Sequence, residues 1–271
     1  MLKDITVGQF YPGNSLVHKL DPRLKIVIMI SYIVTLFFIN SYLPYVFIVL
    51  YLMLIIKVAD IPFKIVFKGL RPLKWILIIT FVINLFFIQG EEIFRVAFLS
   101  ITREGLDTAI KMAIRLILLV LGTSLLTLTT SPIEMTDGIE ELLNPLKKIG
   151  VPAHEIAMMM TIALRFIPTL IEETDKIMKA QMARGADFES GNIVNRAKNL
   201  VPLLVPLFIN SFRRADDLAT AMESRCYRGG EGRTKFRELK LTKADYITFV
   251  FNIIFFSGII VWRYLVWEIL F

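Results

Sequence analysis

Apolar runs separated by short polar stretches set the layout of this chain. Leu24 to Ile56 is apolar for too long to be a single span and is interrupted at Asn40-Ser41-Tyr42-Leu43-Pro44, which predicts two short helices joined by a tight turn. Asp21-Pro22 before them supplies an N-cap and a proline at the first helical position, where its missing N–H costs nothing. Further spans are predicted at about Trp75 to Ile88, Ile110 to Thr129 and Tyr246 to Leu265. The first two of these fall near or below the usual length of about 20 residues, so tilt, flanking residues or packing must complete them. Arg263 can snorkel to the interface beside Trp262 and Trp267. Thr80 and Asn84 read as interhelical hydrogen-bond partners rather than a transport site.

Between Ser131 and Lys243 the pattern changes to alternating polar and apolar helical segments. Ser131-Pro132-Ile133-Glu134 has the spacing of a capping box, which starts a helix running to about Leu143, before breaks at Asn144-Pro145 and Gly150-Val151-Pro152. A helix over Ala153 to Leu170, kinked at Pro168, is expected next. Leu200 to Ile209 is strongly apolar, but ten residues with two prolines cannot span a membrane. It reads as a buried or interfacial stretch. With the Met-rich run Ala157 to Ile162 it makes an apolar surface, for which Met158, Met159, Leu203, Leu204 and Leu207 are the candidate contacts. Methionine stripes are more often core than binding surface, although their adaptable thioethers suit a surface that accepts several partners.

Two helices in this region are predicted to finish on an arginine, at Ala183-Arg184-Gly185 and Ser224-Arg225-Cys226. Glu172, Glu173 and Asp175 precede Lys176, Lys179 and Arg184, and Asp216 and Asp217 precede Arg225, an order that suits the helix dipole. A terminal arginine alone often does no more than satisfy the last carbonyls, for about 0.3–1 kcal/mol. The repetition, with small neighbours Ala180, Ala183, Ala219 and Ala221, points instead to two docking tips.

Composition fixes the setting. Across 271 residues, 55% are hydrophobic and the mean hydropathy is +0.63, which excludes an ordinary soluble protein. An all-α polytopic membrane protein with about five transmembrane helices and a helical cytoplasmic domain is expected. The first residues carry no basic region followed by an apolar one, so insertion should rely on the spans themselves. The single cysteine, Cys226, makes no internal disulfide. A net charge of +7 is accounted for by loops facing anionic lipid and calls for no nucleic acid. Lys57, Lys64, Lys68, Arg71 and Lys74 oppose only Asp60 in one loop, whereas Glu91, Glu92, Glu104 and Asp107 outnumber Arg95 and Arg103 in the next. The basic loop is therefore assigned to the cytoplasm, with the N-terminus inside and the C-terminus outside. Lys111 and Arg115 then lie at the outer end of their span, a cost that facing the bundle interior reduces. The expected organisation is 1–130 for the N-terminal segment and four spans, 131–243 for a cytoplasmic helical domain, and 244–271 for the last span.

No phosphate-binding loop, His-Glu-x-x-His or Gly-x-Ser-x-Gly occurs, and the two histidines, His18 and His154, are far apart. Neither catalysis nor a bound cofactor or metal is expected of this chain. Two other classes are set beside a partner-driven subunit. A membrane-embedded enzyme acting on lipid or peptide needs a titratable cluster at the membrane, and a stand-alone channel or secondary transporter needs discontinuous helices and polar midplane residues. The sequence offers only Asn84 and a few threonines.

Gly13-Asn14-Ser15-Leu16-Val17-His18-Lys19-Leu20-Asp21-Pro22-Arg23-Leu24-Lys25, Thr129-Thr130-Ser131-Pro132, Pro145-Leu146 to Pro152, Ala163-Leu164-Arg165-Phe166-Ile167-Pro168 and Gln181-Met182-Ala183-Arg184-Gly185 resemble, in the same order, the transmembrane T component of energy-coupling factor transporters. The resemblance implies a plasma-membrane scaffold that transmits ATP-driven motion of two ABC-type ATPases to a membrane S component for uptake of vitamins or other micronutrients. In that family two Ala-Arg-Gly motifs end coupling helices and dock the ATPases. Arg184 fits the first motif. At the second, Ser224 and Cys226 stand where alanine and glycine are expected around Arg225.

Overall fold

A computed structural model describes residues 10–96, 99–186, 188, 193–229 and 239–270. In chain order these form α1 (Leu16–Lys19), α2 (Pro22–Phe38), α3 (Tyr42–Ala59), α4 (Phe63–Lys68), α5 (Lys74–Phe87), the antiparallel pair β1 (Glu92–Val96) and β2 (Leu99–Thr102), α6 (Arg103–Thr129), α7 (Pro132–Leu143), α8 (Ala153–Ala183), α9 (Ile193–Ser224) and α10 (Lys243–Leu270). The all-α expectation holds, with this one hairpin as the exception among the described residues. The hairpin lies in the acidic loop, which sequence reading left without structure, and Thr102 at its end caps α6 by accepting the Gly105 amide at 3.0 Å.

The chain divides into two compact units, Ile139–Glu238 and a unit joining Gln9–Gly138 to Leu239–Phe271. In the latter, Tyr32, Leu36, Ile48, Leu52, Leu121, Leu125 and Phe256 are buried together between α2, α3, α6 and α10. The glycine at 122 is required by close approach. A Cβ there would stand 2.4 Å from Tyr32 Cε1, while Tyr32 Oη donates to the Leu118 carbonyl at 2.7 Å. Tyr51 stacks on Phe255 with centroids 4.9 Å apart and donates to Asn252.

Polar contacts order the two ends of this bundle. At one end the Asp21 amide donates to Asp245 Oδ1 at 2.9 Å and Lys25 Nζ to the Thr129 carbonyl at 2.9 Å, so the starts of α2 and α10 meet the end of α6. Gly69, in the basic loop, lies close to Ser124 near that same end. At the other end Arg115 donates to the Ile39 carbonyl, orphaned at the end of α2, at 2.7 Å, and Lys111 pairs with Asp107 at 2.5 Å. Lys111 and Arg115 are thus both engaged by other groups of the bundle, the first by a carboxylate and the second by a carbonyl. Asn84 donates to the Thr80 carbonyl at 2.7 Å, an i,i+4 bond inside α5 rather than the interhelical bond expected.

Five helical segments are long and apolar enough to cross a membrane: Tyr42–Ala59, Phe63–Phe87, Arg103–Thr129, Ala153–Ala183 and Lys243–Trp262. The count matches the expectation, but the membership differs. At 17 residues α2 is just too short, whereas α8, placed outside the membrane by the sequence reading, qualifies because its apolar first half continues into a single long helix. The side chains of Arg263 and Trp267 lie outside those described.

Candidate docking site

Both arginine-ended helices are longer than the sequence suggested. α8 runs unbroken from Ala153 to Ala183 through Pro168, and α9 absorbs the Leu200 to Ile209 stretch with Pro202 and Pro206 inside it. An interior proline removes an i→i−4 hydrogen bond and costs about 3 kcal/mol or more, so something else must keep these helices continuous. Each supports the other. Phe166 lies under the Arg214 guanidinium at 5.6 Å, Asn210 Nδ2 donates to Glu173 Oε1 at 2.5 Å, and Arg214 donates to Glu173 Oε2 at 3.1 Å. These contacts bracket Pro168. Pro206 cannot donate to the Pro202 carbonyl, and Gln181 Nε2 takes that place at 3.3 Å.

The order of these pairs makes α8 and α9 antiparallel: Gln181 meets Pro202, Glu173 meets Asn210, and Phe166 meets Arg214. A cavity of about 290 Å³ between Ile162, Phe166, Leu218 and Met222 continues the seam. Arg184 therefore lies by the Pro202 end, and α9 runs on from there to Arg225, roughly 35 Å at 1.5 Å per residue. The two arginines mark opposite ends of one rod.

Their backbones are alike. After α8, the Gly185 amide bonds the Met182 carbonyl at 3.0 Å and the Ala186 amide the Gln181 carbonyl at 3.0 Å. After α9, the Cys226 amide bonds the Glu223 carbonyl at 2.8 Å and the Tyr227 amide the Met222 carbonyl at 3.0 Å. Both are Schellman turns, with Arg184 and Arg225 at the cap and the next residue in the left-handed region, Gly185 at φ 88° and Cys226 at φ 59°. The departure from Ala-Arg-Gly at the second tip thus leaves the geometry intact. The Ser224 hydroxyl donates back into its own helix, to the Ala221 carbonyl at 3.0 Å. Ala183, Arg184, Gly185, Ser224, Arg225 and Cys226 are all exposed, and neither guanidinium has a side-chain or backbone partner among the described residues. Each presents a planar fork able to grip a carboxylate bidentately.

The dipole reading of the preceding acids does not hold. Glu172, Glu173 and Asp175 fall in the middle of α8 and Asp216 and Asp217 well inside α9, beyond the first turn to which that effect is confined. Glu173 instead ties α8 to α9. Sequence reasoning missed this tie, although Asn210 and Arg214, four apart, were the signal of a common face meeting one acid.

The candidate apolar contacts divide. Met159 is exposed, Met158 half-buried, Leu204 exposed and Leu207 half-buried, but Leu203 is only 6% exposed. Leu203 shares the face of α9 carrying Asn210 and Arg214, which explains its burial. The open face is made by Val201, Leu204, Val205, Phe208 and Phe212, of which sequence reading named only Leu204. An exposed apolar surface of this kind marks contact with protein or membrane.

Residues 13–236 match the family described as cobalt transport protein, a stretch that takes in both arginine tips. The chain belongs to this family. It is 62% identical over 249 residues to the energy-coupling factor transporter transmembrane protein EcfT of Clostridium kluyveri, covering 91% of this chain and 92% of that protein. The same-named proteins of Thermosediminibacter oceani and Bacillus subtilis are 58% identical over 264 residues and 49% identical over 246 residues. These cover 97% and 90% of this chain, and 100% and 93% of their own lengths. Membership rests on the whole length, and neither a membrane-embedded enzyme nor a stand-alone transporter gains support from it.

Proposed function

We propose that this chain is the scaffold and coupling subunit of an energy-coupling factor transporter, with Arg184 and Arg225 each docking one of two ABC-type ATPases. The observation that carries this reading is the pair of matching Schellman turns holding two exposed guanidinium groups, without a partner among the described residues, at opposite ends of an antiparallel helix pair. Such a rod engages two similar partners at once, and a change in their separation acts on it as a lever. ATP hydrolysis belongs to those partners, and the chain itself binds no cofactor. The exposed faces of α9 and the membrane helices receive a membrane S component that carries a vitamin or other micronutrient, so the transported molecule need not touch this chain.

The orientation reading is supported by the bundle's ends. The basic loop with Gly69 shares its end with Asp21, Thr129 and Asp245, as a cytoplasmic face carrying the N-terminus and both junctions with residues 139–238 should. The acidic hairpin follows α5 at the opposite end.

The test is the double substitution Arg184→Glu and Arg225→Glu in a tagged chain co-expressed with its ATPases and an S component. Loss of ATPase co-purification and of coupled uptake is expected, since breaking a buried ion pair leaves a charge uncompensated at about 3–5 kcal/mol per site. Normal assembly and uptake would overturn the docking assignment.

A further inference from the structure

The segment Gly13 to Lys25, prominent in the sequence, plays no part in the arginine tips. It builds one continuous polar fastening. His18 is locked by Ser15 Oγ at 2.7 Å and the Tyr11 carbonyl at 3.0 Å, with Gly13 close against its ring, where a Cβ would stand 2.8 Å from Cε1. The Tyr11 amide in turn bonds the Leu128 carbonyl at 2.9 Å. Lys25 is only 7% exposed, and its ammonium donates to two helix-end carbonyls, His18 at 3.0 Å and Thr129 at 2.9 Å. Asp21 caps α2 through the Arg23 amide at 2.9 Å, and its own amide reaches Asp245 Oδ1. Asp245 closes a capping box with Thr242, accepting that residue's amide and hydroxyl at 2.7 Å each.

The chain passes between the two compact units at two places, after Gly138 and before Leu239. Both passages are gripped by the first turn of α2. A Cβ at Gly138 would stand 3.1 Å from Pro22 Cβ, so α7 touches this turn at its glycine. Arg23, paired with Asp21 at 2.7 Å, donates to the Leu239 carbonyl at 3.1 Å. Lys25 holds the end of α6 two residues before the Ser131 cap of α7.

We propose that this turn is a collar fixing both junctions, and that Arg23 and Lys25 are positioning residues through which displacement of the coupling helices reaches α2, α6 and α10 together. The collar rests on the T-component reading above. A bundle held only by its apolar core would let the two junctions give separately, and helix motion would be absorbed there. With α2, α6 and α10 tied at one end by hydrogen bonds from charged groups, the three ends move as one.

The experiment uses the complete complex of this chain, its ATPases and an S component in proteoliposomes, comparing wild type with Lys25→Met, Lys25→Arg and Arg23→Gln. Co-purified ATPase, ATP hydrolysis and substrate uptake are measured for each. Loss of hydrogen bonds from a charged group predicts uptake reduced about tenfold in Lys25→Met and Arg23→Gln, with hydrolysis within about twofold of wild type. Lys25→Arg, which keeps a cation and donors, should recover part of the uptake. Unchanged uptake, or uptake falling only in step with ATPase content, overturns the collar and leaves a structural role. Arg23→Gln, at a side chain more exposed than Lys25, preserves the test should Lys25→Met prevent assembly. Failure of the wild-type chain to retain ATPases sinks the T-component reading and the collar with it, whereas retention with coupled variants sinks the collar alone.

Discussion

The two arginine tips differ at the residue that matters most for their turn, yet close it in the same way. Gly185 sits at φ 88° at no steric cost, and a Cβ there would meet nothing within 4 Å. Cys226 adopts φ 59° with a side chain, which costs roughly 1–2 kcal/mol for a residue other than glycine. The second turn is therefore held by its two capping hydrogen bonds rather than by a residue that prefers that conformation. Along the chain the repeated element is a backbone device presenting an arginine, spelled Ala-Arg-Gly at one tip and Ser-Arg-Cys at the other.

The equality of the tips is most severely tested by single substitutions. Arg184→Glu and Arg225→Glu should each weaken binding of an ATPase by on the order of 3–5 kcal/mol, and by similar amounts, if both guanidinium groups pair with buried carboxylates. Titration of detergent-solubilised chain with ATPase reads this directly. A large loss at Arg184 with none at Arg225 would make the second turn a cap and nothing more. Arg184→Lys should fall between, because a lysine keeps the charge and loses the planar fork.

The tie between the two helices comes next in size. Glu173→Ala leaves Asn210 and Arg214 without their shared acceptor and removes support on the C-terminal side of Pro168. With Arg214 about one-third exposed, solvent screens part of the effect, and about 1–2 kcal/mol of local stability is the expected loss. Faster hydrogen exchange along both α8 and α9 would register it. Exchange confined to α8 would mean that the helices do not depend on one another.

How far sequence anticipated this arrangement depended on whether a feature is local. The Asp21-Pro22 start, the Ser131 capping box, with Ser131 and Glu134 exchanging bonds at 3.3 and 3.1 Å, and the break at Asn40 to Pro44 are set by neighbours in the chain and appear where expected. Thr242 and Asp245 have the same spacing as Ser131 and Glu134, and were legible by the same rule. Helix continuity through Pro168, Pro202 and Pro206 was not legible, because its support comes from the facing helix: Gln181 donates to the carbonyl that Pro206 leaves open, and Asn210 and Arg214 hold Glu173 beyond Pro168. For the same reason Leu203 could not be told from Leu204 by hydropathy. The direction of the α8–α9 pair, which puts the arginines at opposite ends, is a tertiary property that no motif encodes.

Among the turns themselves, Gly185→Ala imposes on the first tip the strain that the second already bears. The open space around that Cβ limits the penalty to conformation, about 1 kcal/mol, which should raise exchange of the Gly185 and Ala186 amides about fivefold.

The reverse change is the smallest and the most discriminating. Cys226→Gly removes the left-handed penalty but also gives the unfolded chain more freedom, so the net gain at the second turn should stay below about 1 kcal/mol. Slower exchange of the amides at 226 and 227, with ATPase binding unchanged, would mean that the tip was already fully formed and that cysteine merely burdens it. Tighter ATPase binding in the variant would mean something else: that the second tip is only partly populated in the free chain, and that its partner must complete the turn before Arg225 can dock. The two tips would then be alike in shape and unequal in readiness, a difference traced to the residue whose left-handed backbone favours a glycine.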